Sequence, residues 1–255
     1  MNNYVTDAIN LKSYNLNDAD KIILMYSKEN GLIKGVAKGI KKPKSKLGAR
    51  MDLLVANTLQ LLKGHSMDTV IQAQTLNSFR GTRTDINKLM LSSYISELVI
   101  NFGEGSETVS KDIYDILYKA LHKIEFSECK KDALIAVIKF QLKILLLMGF
   151  CVELDTCLCC QEQVLDEDMY FSVNMGGIIC KKCNETLGIK LKMHHKIRDF
   201  LQAMLQFDFN YESEYDKKAT EKVCQVCFDL LDEYIQERTN KKQKSTKVLK
   251  ELVEI

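Results

Sequence analysis

Cys157 with Cys160 and Cys180 with Cys183 form two Cys-x-x-Cys pairs, nineteen residues apart, in the stretch CLCCQEQVLDEDMYFSVNMGGIICKKC. No other feature restricts the local fold so strongly. The interval lies within the spacing window of a four-thiolate zinc site, where each pair makes a tight knuckle that presents two sulfurs to one metal. The intervening residues, with Gly176 and Gly177, can form a hairpin that brings the second pair back to the first. So short a segment has little core of its own, and metal binding would substitute for one. The reading is one structural zinc ion held by Cys157, Cys160, Cys180 and Cys183. Four thiolates fill a tetrahedral shell, whereas hydrolytic zinc keeps a position open for water. Cys159 is a competing thiol inside the first pair, and four reduced cysteines without metal are the alternative.

The remaining cysteines carry weaker signals. Cys224 and Cys227 repeat the spacing, but inside an apolar helical pattern with Val223, Val226, Phe228 and Leu230, which reads as buried core. Cys129 and Cys151 have no partner in sequence. The start, MNNYVTDAIN, lacks a basic region followed by an apolar run, so the expectation is a cytoplasmic protein without a secretory signal. In that reducing compartment nine cysteines favour metal binding over disulfides. The most apolar run, Ile144 to Val152, falls far short of the roughly 20 residues of a spanning helix.

Two textures follow one another along the chain. The runs AINLKSY, KIILMYS, GLIKGVA, DLLVANTLQLL and TVIQAQTL, separated by turn residues, predict about five strands in a small sandwich or barrel. After FRGTRTD, apolar residues recur at helical spacing in INKLMLSSYISELVINF, KDIYDILYKALHKIEF and KKDALIAVIKFQLKILLLMGF, then in HHKIRDFLQAMLQFDF and KKATEKVCQVCFDLLDEYIQER. Thr84 or Asp85 is the expected cap of the first helix, and Ser110 of the second.

Enzyme chemistry is hard to find. The phosphate-loop, dinucleotide, zinc-protease and nucleophile-elbow patterns are all missing, as is the zinc-deaminase pattern. His65, His122, His194 and His195 stand beside no convincing nucleophile or carboxylate pair.

The formal net charge is only +2, so any attraction to a polyanion rests on where the charges sit. From Lys34 to Arg50 there are seven cations and no acid: Lys34, Lys38, Lys41, Lys42, Lys44, Lys46 and Arg50. A solvated loop is the bland interpretation. Gly39, Pro43 and Gly48 place these residues on a connection between strands, and basic loops beside a small barrel are a recurrent way to follow a phosphate backbone. These seven are the expected nucleic-acid contacts. Tyr26 could stack on bases, though an inward core position suits it better. A second basic segment, RTNKKQKSTKVLK, lies near the carboxyl end.

In order along the chain, YSKENGLIKGVAKGIKKPKSKLGARMDLL, LMLSSYISELV, LLLMGFCVELDTCLCC and YFSVNMGGIICKKC resemble the RecO family of bacterial DNA repair and recombination mediators. The likeness runs from about Thr6 to KKQKSTKVL. It implies an α+β protein with an amino-terminal five-stranded OB-fold barrel, residues 1–81. An all-helical domain, 82–255, would follow, carrying a four-cysteine, zinc-finger-like insertion at about 154–186. It also implies a non-enzymatic, nucleoid-associated role: binding single- and double-stranded DNA, annealing complementary strands, and acting with RecR to help RecA replace single-strand-binding protein. No membrane or small-molecule substrate is implied. The family's basic segment falls on Ala37, Lys38, Gly39, Lys41, Lys42, Lys44 and Ser45. Two departures stand out: Gln161 replaces a glycine after the first cysteine pair, and Val152 replaces a proline. The rival readings are a repair adaptor that does not touch DNA and a zinc-dependent nucleic-acid enzyme.

Overall fold

The computed structural model describes residues 2–103, 107–246 and 249. Lys247, Val248 and Lys250 of the second basic segment therefore lie outside the described residues. Two compact units emerge. One runs up to Phe126 and includes the described residues from Gln243 onward; the other is Ser127–Lys242.

The first unit is built on a closed barrel of five strands: β1 (Asn3–Asn15), β2 (Lys21–Ser27), β3 (Gly31–Ala37), β4 (Ala56–Leu62) and β5 (Asp68–Asn77). Their order is β1-β2-β3-β5-β4, the five-stranded Greek-key arrangement of an OB-fold. β3 shows why the sequence closes this way. Ile33, Gly35 and Ala37 are buried while Leu32, Lys34 and Val36 face outward, as the two-residue period of a strand requires. A Cβ at Gly35 would come within 2.7 Å of the Met25 side chain, so glycine lets the core fill at that point. The parallel pairs Gly35 with Asp68 and Val36 with Thr69 join β3 to β5. Ala8, Ile23, Met25, Leu59, Leu61 and Val70 fill the interior. Tyr26 is fully buried, but on the side of β2 opposite the interior residues Ile23 and Met25, paired with outward-facing Leu32 and close to Gly103.

This unit also contains the helices α1 (Arg80–Arg83), α2 (Ile86–Phe102) and α3 (Ser110–Glu125). Asp85 caps α2, its Oδ1 accepting from the N–H groups of Asn87 at 2.8 Å and Lys88 at 3.2 Å, which satisfies two otherwise orphaned donors. Ser110 does not cap α3. It is the first residue of that helix, and its hydroxyl donates to the Lys28 carbonyl at 3.0 Å. The Glu97 carboxylate of α2 accepts the N–H groups of Lys244 and Ser245 and the Ser245 hydroxyl.

The second unit contains α4 (Lys130–Leu147), β6 (Asp168–Ser172), β7 (Gly177–Ile179), α5 (Lys181–Leu187), β8 (Lys192–His194), α6 (His195–Gln206), α7 (Glu214–Lys218) and α8 (Glu221–Thr239). Residues Ala133 to Leu142 of α4 are buried without a break, as expected of a helix packed by both α6 and α8. Cys224 and Cys227 are buried in α8, and removal from water pushes the Cys224 thiol up to about 12. They are core residues. The three short strands form their own sheet, β7-β6-β8, between α4 and α6 in the chain. Among the described residues no helix is long and apolar enough to cross a membrane.

Candidate nucleic-acid interface and metal centre

The basic connection between β3 and β4 is anchored, not loose. Ile40, Leu47 and Met51 are buried in the barrel core, so apolar residues hold the connection at its beginning, middle and end. Polar bonds fix it further. Gly39, at φ +65°, makes a turn in which its carbonyl accepts the Lys42 N–H at 3.1 Å, and the Lys42 carbonyl accepts the Ser45 N–H at 2.9 Å. A positive φ of this kind suits glycine because it has no Cβ. The following 3₁₀ turn, Gly48–Met51, ends on the buried amides of Asn10 and Asn57, which donate to the Arg50 carbonyl at 3.1 and 2.7 Å.

Against this framework Lys38, Lys41, Lys42, Lys44, Lys46 and Arg50 are exposed on the connection, while Lys34, expected on it too, is exposed on β3 itself. Among the described residues none forms an ion pair with a carboxylate. Lys41 Nζ donates to the Asn17 carbonyl at 2.8 Å, and the Arg50 guanidinium to the Lys46 carbonyl at 3.2 Å. The Asp20 carboxylate feels the charges of Lys38 and Lys42 without pairing directly with either. The arrangement is a rigid support carrying unneutralised cationic side chains, a display suited to a polyanion. Beside it lies the β4–β5 turn, where Lys63, ion-paired with Asp68 at 3.7 Å, and His65 share with Lys34 the walls of a cavity of about 320 Å³. Sequence reading singled out no role for that turn, since only the β3–β5 pairing brings it beside Lys34.

The second centre lies in the cysteine segment. The Sγ atoms of Cys157, Cys160, Cys180 and Cys183 all fall within 4.8 Å of one another. A tetrahedron with metal–sulfur bonds of about 2.3 Å has edges of about 3.8 Å, and the Cys160 to Cys180 separation is 3.9 Å. The donor set therefore fits one tetrahedral, thiophilic ion. Both knuckles point backbone amides at sulfur. Cys157 Sγ accepts from the N–H groups of Cys159 at 3.5 Å and Cys180 at 3.4 Å, and Cys180 Sγ accepts from Cys183 N–H at 3.4 Å. Burial opposes ionisation of Cys157, but the N–H groups of Cys160, Cys180 and Cys159 outweigh it and bring its thiol down to about 6. Cys183 moves the other way, raised first by its hydrogen bond with Cys180 and then by burial. Cys159 is exposed and stands outside the four-sulfur group.

Local folding explains how the pairs meet. The Cys157 N–H bonds the Glu162 carbonyl and the Leu158 N–H bonds the Ile178 carbonyl, which lays the first knuckle against β7. The β6–β7 hairpin turns through Gly176, at φ +83°. Gln161 adopts the left-handed conformation that glycine favours, at φ +61°, and its N–H donates to the Cys157 carbonyl at 2.9 Å.

Two family models match the chain: Recombination protein O N terminal over residues 1–79 and Recombination protein O C terminal over 83–247. Curated relatives agree. A DNA repair protein RecO of Desulforamulus reducens is 28% identical over 249 residues, covering 98% of this chain and 94% of the relative. One of Dehalococcoides mccartyi is 30% identical over 183 residues, 72% of this chain and 71% of the relative. One of Nostoc punctiforme is 34% identical over 186 residues, 69% of this chain and 61% of the relative.

Proposed function

Because this chain belongs to the RecO family of DNA repair proteins, we propose that it is a non-enzymatic mediator that binds single- and double-stranded DNA and anneals complementary strands. The observation that carries this reading is the set of seven exposed cations, none ion-paired among the described residues: Lys34 on the outer face of β3 and six on a connection whose apolar residues are locked into the barrel. Contacts of this kind draw their free energy largely from counterions released by the phosphates. Two strands repel each other through those phosphates. A surface that neutralises both lowers the repulsion and lets base pairing proceed.

In this account the barrel domain, residues 1–81, makes the DNA contact through Lys34, Lys38, Lys41, Lys42, Lys44, Lys46 and Arg50. The helical domain, 82–255, carries the zinc-binding insertion at about 154–186. Cys157, Cys160, Cys180 and Cys183 would hold one structural Zn²⁺, which supplies cross-linking of the two knuckles and no reactive water. Acting with RecR, the protein would help RecA displace single-strand-binding protein, in the cytoplasm and close to the nucleoid. No nucleotide hydrolysis and no small-molecule substrate enter the scheme.

A strand-annealing assay with complementary oligonucleotides tests the proposal. The expected result is annealing faster than the spontaneous rate in dilute buffer, with the acceleration fading as salt is added. Annealing at the spontaneous rate would instead mark an adaptor that leaves DNA to its partners.

A further inference from the structure

The outer face of the barrel next to the basic connection presents an aromatic ring. Tyr14, near the end of β1, is 46% exposed, and the Lys12 ammonium lies 5.2 Å from its ring centroid. Residues directly paired across antiparallel strands point to the same face. Tyr14 pairs with Ile22 and Ile22 with Val36; Lys12 pairs with Leu24 and Leu24 with Lys34. Val36 and Lys34 belong to the outward-facing set of β3, so Tyr14, Ile22 and Val36 make an aromatic–aliphatic row. Lys12 and Lys34 make a cationic row beside it. Neighbouring strands are about 4.8 Å apart, which puts β1 and β3 about 10 Å from each other.

This face is also tied to the basic connection. Just beyond Tyr14 the chain turns through residues 16–20. There Ala19 and Asn17 offer their carbonyls to the Lys41 N–H at 3.1 Å and to Lys41 Nζ at 2.8 Å. The half-exposed ring, with Lys12 over it, therefore leads directly into the turn that holds the lysine loop.

We propose that Tyr14 is a base-stacking residue for single-stranded DNA, with Lys12 and Lys34 receiving the phosphates on either side. This rests on the DNA-binding reading above and deepens it. Single strands bind where a cationic groove lies beside exposed aromatic rings, because every base has a face to stack. In a duplex the bases are already stacked on each other, so the ring discriminates between the two forms while the lysine loop does not. The charge around Tyr14 is what selects this occupant over an uncharged apolar partner.

The experiment compares Tyr14→Ala and Tyr14→Trp with the unmodified protein, using an oligothymidylate and a duplex of similar charge. Tyr14→Ala should bind the oligothymidylate about tenfold more weakly while duplex affinity and salt dependence stay unchanged. The chain contains no tryptophan, so Tyr14→Trp installs a single indole, which can be excited apart from the tyrosines. It should restore single-strand binding, and its fluorescence should be quenched by the oligothymidylate and not by the duplex. Unaltered single-strand affinity in Tyr14→Ala, or emission from Tyr14→Trp indifferent to the oligothymidylate, overturns the stacking role and leaves the DNA reading standing. If the unmodified protein binds neither probe, the DNA reading itself falls, and the stacking role with it.

Discussion

The Asp20 carboxylate accepts the Gly39 backbone N–H at 2.6 Å, which joins the β1–β2 turn to the first residues of the lysine loop. The same side chain accepts from the Asn17 amide at 2.9 Å. These bonds, the Gly39 bond foremost, hold the Asp20 carboxyl below its ordinary range. A carboxyl lowered in the folded state contributes above its unfolded value, about 3.9, and the contribution is lost as pH falls through the folded value. Hydrogen exchange should therefore find the Gly39 amide protected at neutral pH, with protection declining in acid. Asp20→Ala should remove the protection at every pH, and equal protection in that variant would contradict the assignment.

For the metal centre, elemental analysis of the purified protein should give one zinc per chain. Cys160→Ser should lose the metal and lower the thermal midpoint, since the ion substitutes for a missing core. Cys159→Ser should retain one zinc, because its sulfur stands outside the group of four. Loss of metal in Cys159→Ser would mean that the fifth thiol is a ligand.

Gln161 occupies the left-handed region at φ +61°, where a residue with a Cβ is disfavoured by roughly 1–2 kcal/mol. Glycine has no such penalty but gives up more freedom on folding. Gln161→Gly should therefore gain about 0.5–1 kcal/mol, read as slower zinc transfer to a chelator. Faster transfer would show that the Gln161 amide bond to the Leu158 carbonyl, 3.3 Å long, matters more than backbone strain.

Much of this was legible in the sequence, and the exceptions have physical causes. Alternating runs and turn residues marked the five strands, and the spacing of Cys157, Cys160, Cys180 and Cys183 marked the sulfur cluster, because both signals are local. Ile40 and Leu47 gave no signal: single apolar residues in a basic run look incidental until the barrel interior receives them. The grouping of α2 and α3 with the barrel, apart from residues 127–242, was equally hidden, since helical periodicity identifies an apolar face and not its partner. The short β8 and α7 lie below the length at which periodicity speaks. Gln161 hid its positive φ behind a side chain that rarely adopts one.

Lys139 and Asp216 form a buried ion pair at 3.1 Å, with side chains 4% and 6% exposed. Lys139 Nζ also donates to the Tyr211 carbonyl at 2.9 Å, and Asp216 accepts from the Ser213 N–H and hydroxyl at the start of α7. Lys139→Met strands a carboxylate in the core and should cost about 3–5 kcal/mol in urea unfolding. The double variant Lys139→Met with Asp216→Asn should recover part of that loss. If the single change is nearly neutral, the pair is not the lock between α4 and α7.

The central claim is that the lysine loop between β3 and β4 meets the phosphates, and the salt dependence of single-strand affinity addresses it most directly. Log affinity falls against log salt by about 0.7 for each phosphate neutralised. The triple variant Lys41→Glu, Lys42→Glu, Lys44→Glu should bind more weakly and show a slope shallower by about 2. A slope identical to that of the unmodified protein would contradict the account.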